Sequence, residues 1–353
     1  MWVDPFSLRL DTPLSTAAGE LTERRGFLVS LEADGHRGIG EATPLPGWTE
    51  SYEACQTALD PAAAGSTDAE IRPPDPTATP AAAHAIELAQ FDTAAQRDGT
   101  TLAAVLREGV FDTDQPLPDT VPVNATIGDA AVEKTVDAAT AAVSEGFEWL
   151  KLKVGVQSPQ TDLDRVQAVD NAVGESVRIR LDANGAWDRS TAREMVDQLP
   201  DSAVDYLEQP LAAADIDGLA ELRGHGVAIA VDESLTEASV EAVIEADAAD
   251  VVVLKPMAIG GPRRTVEAAA TARDAGIEPV VTTTVDGVVA RTAAVHVAAA
   301  IPDVTACGLA TGSLLADDLA ADPVSIAAGR AHLPTGHGLC GDCFDELQDA
   351  KSI

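Results

Sequence analysis

Lysine is scarce in this chain of 353 residues, which contains only Lys134, Lys151, Lys153, Lys255 and Lys351. Aromatic residues are also few, at 3% of the composition. Asp and Glu together number 58 against 23 Lys and Arg, so the formal net charge is −35. Such an excess repels nucleic acid and anionic membranes, which argues against both as partners. An acidic surface poor in lysine indicates adaptation to high salt, as expected of a protein from a halophilic archaeon.

Cysteine and long apolar runs are lacking as well. Four cysteines in a long chain do not indicate a disulfide framework, and Cys340-Gly-Asp-Cys343 is only half of a zinc or redox motif. No apolar run is long enough to span a bilayer, and the first residues lack the basic and apolar regions of a signal peptide. We therefore expect a cytoplasmic protein without a membrane partner.

The length favours one large domain and one smaller domain. The first 117 residues predict a small α+β domain, because three short alternating stretches are followed by helical patterns. A stretch rich in Asp and Pro, residues 112–122, marks the boundary of this domain. The predicted strands cover residues 6–10, 26–31 and 38–41, and the predicted helices cover 51–58, 81–96 and 102–107.

Beyond this boundary, short strands alternate with alanine-rich helices. Eight such strands over about 190 residues predict a closed parallel barrel, assigned to residues 118–322, followed by a tail over 323–353. A doubly wound open sheet is the alternative, but no glycine-rich dinucleotide loop follows the early strands. The predicted strands cover residues 121–126, 150–154, 177–182, 205–208, 227–232, 251–255, 279–283 and 307–310.

Two of the five lysines lie in the second of these strands. Lys151 and Lys153 flank Leu152, and the period of two places both lysines on one face of the strand. Two like charges among apolar neighbours are costly unless anions or a metal site compensate them. Taken alone, the segment is equally compatible with an edge strand that carries two solvated lysines.

Five charged residues recur at the ends of predicted strands, about one βα unit apart. Because the C-terminal ends of barrel strands surround one mouth, we expect these side chains to converge. Three carboxylates from neighbouring strands suit Mg²⁺ or Mn²⁺, and a lysine on each side can face a small carboxylate substrate. Each residue alone could belong to a turn or a helix cap, but accidental alignment of all five is much less expected. The five are Lys153, Asp182, Glu208, Asp232 and Lys255.

This arrangement predicts abstraction of a proton next to a carboxylate. A bound cation would neutralise the negative charge that develops on the substrate. A lysine can accept the proton only where nearby positive charge favours its neutral form, and Lys151 and the cation would supply such charge beside Lys153.

These residues resemble the enolase superfamily, in the branch with lysines on the second and sixth barrel strands. Lys151-Leu-Lys153 resembles its K-x-K motif, whose second lysine is the acid/base, and Lys255 in Val253-Leu-Lys-Pro-Met257 resembles the opposing lysine. The resemblance implies a (β/α)7β TIM barrel with an N-terminal α+β capping domain and a tail that packs back on the cap. It also implies metal ligation by Asp182, Glu208 and Asp232.

Within this branch the chain most resembles the o-succinylbenzoate synthase family of menaquinone biosynthesis. Residues 40–51 are similar to that family's capping segment, 14–17 with 24–26 to its substrate loop, and 308–312 to its eighth strand. The resemblance implies syn-dehydration of 2-succinyl-6-hydroxy-2,4-cyclohexadiene-1-carboxylate to 2-succinylbenzoate. Lys153 would be the acid/base, and Lys255 would stabilise the enolate. The implied auxiliary or substrate-contacting residues are Lys151, Arg24, Asn184, Gly308 and Thr311.

Other activities of the branch remain alternatives. An N-acylamino acid racemase would use the same two lysines, and a muconate cycloisomerase is less favoured by the capping segment. A dipeptide epimerase would carry Asp-x-Asp on the eighth strand, and a mandelate-racemase-like enzyme would carry a histidine on the seventh; neither is present in residues 307–312 or 280–285. An inactive barrel scaffold is the non-enzyme alternative, against which the presence of all five residues argues. The natural substrate, the choice between Mg²⁺ and Mn²⁺, and a homo-oligomeric state stay open.

Overall fold

The computed structural model describes residues 1–16, 19–63, 71–199 and 204–349. The chain begins with an antiparallel sheet of β1 (Trp2–Thr16), β2 (Gly19–Ala33) and β3 (His36–Ala42), in that order. These strands are longer than predicted, because main-chain pairing continues through polar residues that show no apolar alternation. The predicted substrate loop at residues 14–17 extends outside the described residues.

Three helices follow this sheet: α1 (Tyr52–Ala63), α2 (Pro80–Asp98) and α3 (Leu102–Arg107). The longest of them, α2, packs directly on β3. The approach is so close that a Cβ atom at Gly40 would lie 1.8 Å from the carbonyl oxygen of Ala85. Glycine at this position therefore allows the helix to cover the sheet. The helices agree with the three predicted from the sequence to within a few residues.

The second part of the chain is a curled parallel sheet surrounded by helices. Its seven strands are β5 (Ala125–Ile127), β6 (Trp149–Lys153), β7 (Arg178–Asp182), β8 (Val204–Glu208), β9 (Ala228–Val231), β10 (Val251–Leu254) and β11 (Glu278–Val281). They are adjacent in the order β11-β10-β9-β8-β7-β6-β5. A short strand before them, β4 (Thr120–Pro122), belongs to a separate sheet. The helices are α4 (Val132–Ser144), α5 (Pro159–Val173), α6 (Arg189–Gln198), α7 (Ile216–Leu222), α8 (Val240–Glu245), α9 (Pro256–Ile259), α10 (Pro262–Asp274) and α11 (Val288–Ala300).

The two edges of this sheet meet through two residues. Cys307 pairs in parallel with Val123, and Gly308 pairs in parallel with Thr282. The Cys307 amide donates to the carbonyl oxygen of Pro122 at 2.9 Å, and the Gly308 amide donates to that of Val281 at 2.9 Å. The predicted α/β barrel with an N-terminal cap is thus confirmed. In the described chain its eighth strand is shorter than predicted, because it consists of Cys307, which pairs with Val123, and Gly308, which pairs with Thr282.

The end of the chain returns to both parts. The strand β13 (Arg330–His332) pairs with β4 on one side and with β12 (Ile326–Ala327) on the other. The helix α12 (Asp345–Asp349) closes the described chain. Gly338 forms a bridge with Thr101, next to α3. The division at residues 117 and 322 stays a prediction. No helix in the four described ranges is long and apolar enough to cross a membrane.

One disulfide departs from the expectation of cysteines without disulfide pairing. Cys340 and Cys343 are bonded, with Cα atoms 5.7 Å apart. A separation of three residues in a turn meets the geometry of a disulfide without any wider framework, which the sequence spacing alone could not show. Cys55 and Cys307 are free and buried.

Candidate active site

The ends of β6, β7 and β8 bring four of the predicted residues together. Lys153 is the register partner of Asp182, and Asp182 is the register partner of Glu208. Leu152 is fully buried on the outer face of the strand, so Lys151 and Lys153 both point to the barrel interior as the alternation predicted. Regular parallel pairing alone therefore places two ammonium groups beside two carboxylates.

The two lysines of β6 are held differently. Lys151 Nζ lies 2.6 Å from Glu208 Oε1 and 2.9 Å from Asp182 Oδ2. Lys153 Nζ lies 2.6 Å from Asp182 Oδ2 and donates to Asn184 Oδ1 at 2.8 Å. The side chain of Lys153 is 34% exposed, whereas that of Lys151 is 14% exposed. Lys153 is therefore the one of this pair that a bound molecule can reach.

Lys255 lies at the end of β10, four strands away from Lys153 in the ring. Its Nζ contacts both carboxylate oxygens of Asp232 at 2.5 Å. The same atom lies 3.3 Å from the centroid of the Trp48 ring, a cation–π contact made by the capping segment. Strands half a ring apart place their ends on opposite sides of the mouth, so the two lysines face each other across it. In the sequence, nothing except its position in residues 40–51 indicated that Trp48 would lie at the site.

The charges in the site perturb one another strongly. Burial acts to lower the pKa of Lys151, but the negative charges of Asp182 and Glu208 outweigh burial and raise it well above its ordinary value. Burial acts to raise the pKa of Asp182, yet the charges of Lys151 and Lys153 hold it below its usual range. Burial, followed by the charge of Asp182, raises the pKa of Glu208 to about 8. Glu208 is therefore the carboxylate of this group whose negative charge its lysine contact does not fully stabilise.

The carboxylates fit a divalent cation chemically, although they now contact ammonium groups. Within the described ranges, no three acidic, histidine or cysteine side chains form a preformed metal-binding group. Glu208 Oε2 is buried and has no hydrogen-bond partner. Carboxylate oxygens from three consecutive strands match the hard donors that Mg²⁺ prefers. Asp182, Glu208 and Asp232 could hold such an ion once Lys153 moves away from Asp182 and Lys255 moves away from Asp232.

Asn184 connects this cluster to a residue that the sequence analysis did not select. Its Nδ2 donates to Glu233 Oε1 at 3.0 Å, while its Oδ1 accepts from Lys153. Glu233 Oε2 is buried and has no partner, and burial and then the charge of Asp232 raise the pKa of Glu233. In the sequence, Glu233 follows a predicted metal ligand and reads only as part of a helix cap, so no pattern distinguished it.

Gly308 and Thr311 lie on the eighth-strand side of the mouth. The Thr311 hydroxyl is 3.0 Å from the Thr283 hydroxyl, and the Thr282 hydroxyl donates to the Gly308 carbonyl at 2.8 Å. A Cβ atom at Gly308 would lie 2.6 Å from Thr282 Oγ1, so a glycine is needed for the strands to meet. The structure thus pairs these residues with hydroxyls that directly follow β11.

Arg24 is placed away from the position implied for a substrate contact. It is 2% exposed, and its guanidinium donates to the carbonyl oxygens of Thr43, Pro44 and Val285. With its donors directed to the main chain, Arg24 joins the capping segment to the loop after β11. The other predicted site residues all lie at the barrel mouth.

Comparison with known families is consistent with this two-part architecture. Residues 134–343 match the family described as enolase C-terminal domain-like. Residues 4–93 match the family described as MenC, N-terminal domain. The first match covers more than half of the chain and includes all five strand-end residues.

Among curated proteins, an o-succinylbenzoate synthase from Thermobifida fusca is 43% identical over 214 residues, which are 59% of this chain and 65% of the relative. An o-succinylbenzoate synthase from Thermosynechococcus vestitus is 31% identical over 81% of this chain and 84% of the relative. A chloromuconate cycloisomerase from a Pseudomonas species is 29% identical over 93% of this chain and 91% of the relative. The chain is thus similar to curated proteins that have two different activities.

Solved structures show the same fold. A dipeptide epimerase from Methylococcus capsulatus, complexed with Mg and the dipeptide L-Arg-D-Lys, aligns over 96% of this chain and 98% of its own, at 27% identity and a TM-score of 0.81. The muconate lactonizing enzyme from Pseudomonas fluorescens, complexed with muconolactone, aligns over 96% and 95%, at 25% identity and a TM-score of 0.81.

Proposed function

Because this chain belongs to the enolase superfamily, we propose that it is an o-succinylbenzoate synthase. The reaction is the syn-dehydration of 2-succinyl-6-hydroxy-2,4-cyclohexadiene-1-carboxylate to 2-succinylbenzoate. Relatives with different activities match the barrel part of the chain, so the substrate assignment rests on the cap. The single observation that carries it is the match of residues 4–93 to the MenC N-terminal domain.

Lys153 is the acid/base in this proposal. Of the three site lysines it is the most exposed, with a side chain exposed by 34% against 14% for Lys151 and 9% for Lys255. Its neutral amine removes the proton from the carbon that bears the carboxylate. The resulting ammonium then gives that proton to the hydroxide that leaves the adjacent carbon on the same face. One water is released, and the ring becomes aromatic.

Lys255 and the carboxylates control charge in the same step. Lys255 lies across the mouth from Lys153, where its ammonium offsets the negative charge that the substrate acquires on losing the proton. Asp182, Glu208 and Asp232 would hold Mg²⁺, for which Mn²⁺ can substitute. Such an ion would supply positive charge that stabilises the negative charge developing on the substrate. Lys151 remains paired with the ligands and keeps their carboxylates oriented.

Two other activities have specific support. A cycloisomerase is favoured by the chloromuconate relative, which matches 93% of the chain. An N-acylamino acid racemase needs a base on each side of one carbon, and Lys153 and Lys255 are placed on opposite sides of the mouth. A dipeptide epimerase is less favoured, because residues 307–312 contain no acid that could bind a substrate ammonium.

The test is an ultraviolet assay of the cyclohexadiene substrate with Mg²⁺, on protein purified in molar salt. Lys153→Ala is compared with Lys134→Ala, which removes an exposed lysine of α4. Dehydration that is lost with Lys153→Ala and with chelator, but kept in Lys134→Ala, supports the proposal. Racemisation of an N-succinylamino acid or cycloisomerisation of a muconate, without dehydration, would instead assign the corresponding alternative.

A further inference from the structure

The strand that carries the lysine pair has an incomplete neighbour. Ile127, the last residue of β5, is the register partner of Leu152, so β5 ends before it reaches Lys153. On the other side, pairing continues: Lys153 faces Asp182, and the Val154 amide donates to the Asp182 carbonyl at 2.9 Å. The end of β6 therefore lacks a strand partner on one side, where its main-chain groups need other partners.

Two side chains of α5 supply these partners. Arg165 Nη1 donates to the Lys153 carbonyl oxygen at 2.9 Å. The Gly155 amide donates to Asp162 Oδ2 at 2.7 Å. Arg165 also donates to Asp162 Oδ1 at 2.8 Å, so the two side chains act as one unit. Both are fully buried. Together they satisfy one acceptor and one donor on the open side of β6.

The same guanidinium reaches beyond β6. Its Nη2 donates to the Gly128 carbonyl at 3.1 Å, just after β5, and its Nε donates to the Thr135 hydroxyl of α4 at 3.2 Å. A planar group with fixed donor directions thus joins the ends of β5 and β6. The chain after β6 is tightly packed, because a Cβ atom at Gly155, whose φ is +92°, would lie 2.8 Å from Ala186 Cβ.

We infer that Arg165 and Asp162 are positioning residues for Lys153. This inference rests on the proposed function, in which Lys153 moves the proton. Neither side chain reaches the mouth; they act through the Lys153 carbonyl and the Gly155 amide. Misplacing a reacting group by about 1 Å can cost on the order of 100-fold in rate. A looser end of β6 therefore slows proton transfer while the substrate-binding groups on other strands stay in place.

The experiment compares Arg165→Lys and Asp162→Asn with Arg107→Lys. Arg107 is a matched control, since it is also buried and donates to three main-chain carbonyls, those of Ala299, Ala300 and Gln115. Asp162→Asn keeps an oxygen that can accept from the Gly155 amide, and it provides the test if Arg165→Lys does not fold. We expect kcat to fall roughly 10- to 100-fold in the α5 variants, with KM changed less than about twofold. The control should lose stability but keep kcat.

A second readout does not depend on the reaction. Amide hydrogen exchange of peptides covering residues 150–158 should accelerate in the α5 variants and stay unchanged in Arg107→Lys. Unchanged exchange and kcat in the α5 variants, or an equal loss of kcat in the control, would overturn the inference. If the unaltered enzyme fails to dehydrate the substrate, the proposed function fails, and the exchange comparison still decides whether α5 holds the end of β6.

Discussion

Glu41 should make the stability of this protein fall as the pH rises. The residue lies on β3 of the cap and is fully buried. Its Oε1 accepts from the Gly287 amide at 2.7 Å, and its Oε2 accepts from the Ala290 amide at 2.9 Å. These amides lie at the N-terminal end of α11. A carboxylate of the N-terminal domain therefore satisfies free backbone donors of a barrel helix. Burial, followed by the charge of Asp286, raises the pKa of Glu41 from 4.5 to about 7.

The sign follows from proton binding. Between pH 4.5 and 7 the folded protein holds the Glu41 proton more tightly than the unfolded chain does. This contribution is therefore fully present below the unfolded pKa and is lost as the pH rises through the folded pKa. With a folded pKa of about 7, the loss between about pH 5 and pH 8 is ~2.5 kcal/mol. Glu41→Gln has no such proton to lose.

The assay is urea unfolding at fixed molar salt, followed by tryptophan fluorescence at both pH values. The free energy of unfolding should drop by about 2.5 kcal/mol more in the unaltered protein than in Glu41→Gln. Glu194→Gln, at an exposed position of α6, is the control and should behave like the unaltered protein. Equal pH dependence in all three proteins would refute the argument. In that case the amides of α11 would stabilise the carboxylate more than burial destabilises it.

Three further changes test other contacts. The net charge of −35 predicts a melting temperature that falls when salt is lowered from about 2 M to about 0.1 M, because the Debye length grows to about 10 Å and the acidic groups repel one another over longer distances. An unchanged melting temperature would contradict salt adaptation. Trp48→Ala removes a cation–π contact worth about 1 kcal/mol and should lower kcat/KM about fivefold, whereas Trp48→Phe should retain most of it; equal losses would exclude the ring as the cause. Lys151→Met leaves two buried carboxylates without their shared cation, so Mg²⁺ should raise its melting temperature more than that of the unaltered protein; an equal or smaller rise would argue against metal binding there.

The barrel and the strand-end residues were predictable because both depend on periodicity. Strands buried on both faces read as short apolar runs, and parallel pairing then brings the ends of all runs to one mouth. The register of Lys153 with Asp182 and of Asp182 with Glu208 follows from that pairing alone. The presence of these groups at the mouth follows from strand pairing and needs no knowledge of loops or of side-chain rotamers.

Contacts between distant segments could not be predicted in the same way. Trp48 reaches Lys255 from a loop 207 positions earlier in the chain, and Glu41 caps a helix 246 positions later. Neither residue type nor spacing signals such a contact, since a tryptophan after Pro-Gly and a glutamate in a strand are ordinary on their own. Asp162 and Arg165 likewise read as a charged pair of one helix, although both are fully buried behind the end of β6.

Arg24 shows how the cap can act on the mouth without touching a substrate. Its guanidinium donates to the Val285 carbonyl, and Val285 has a φ of +62°, which is unfavourable for a β-branched residue. The Val285 amide in turn donates to the Thr283 hydroxyl, which lies 3.0 Å from the Thr311 hydroxyl. A substitution at Arg24 that removes this contact is therefore expected to disturb the turn at Val285 and, through it, this hydroxyl pair. Arg24 is thus connected to the eighth-strand side of the mouth through the turn at Val285.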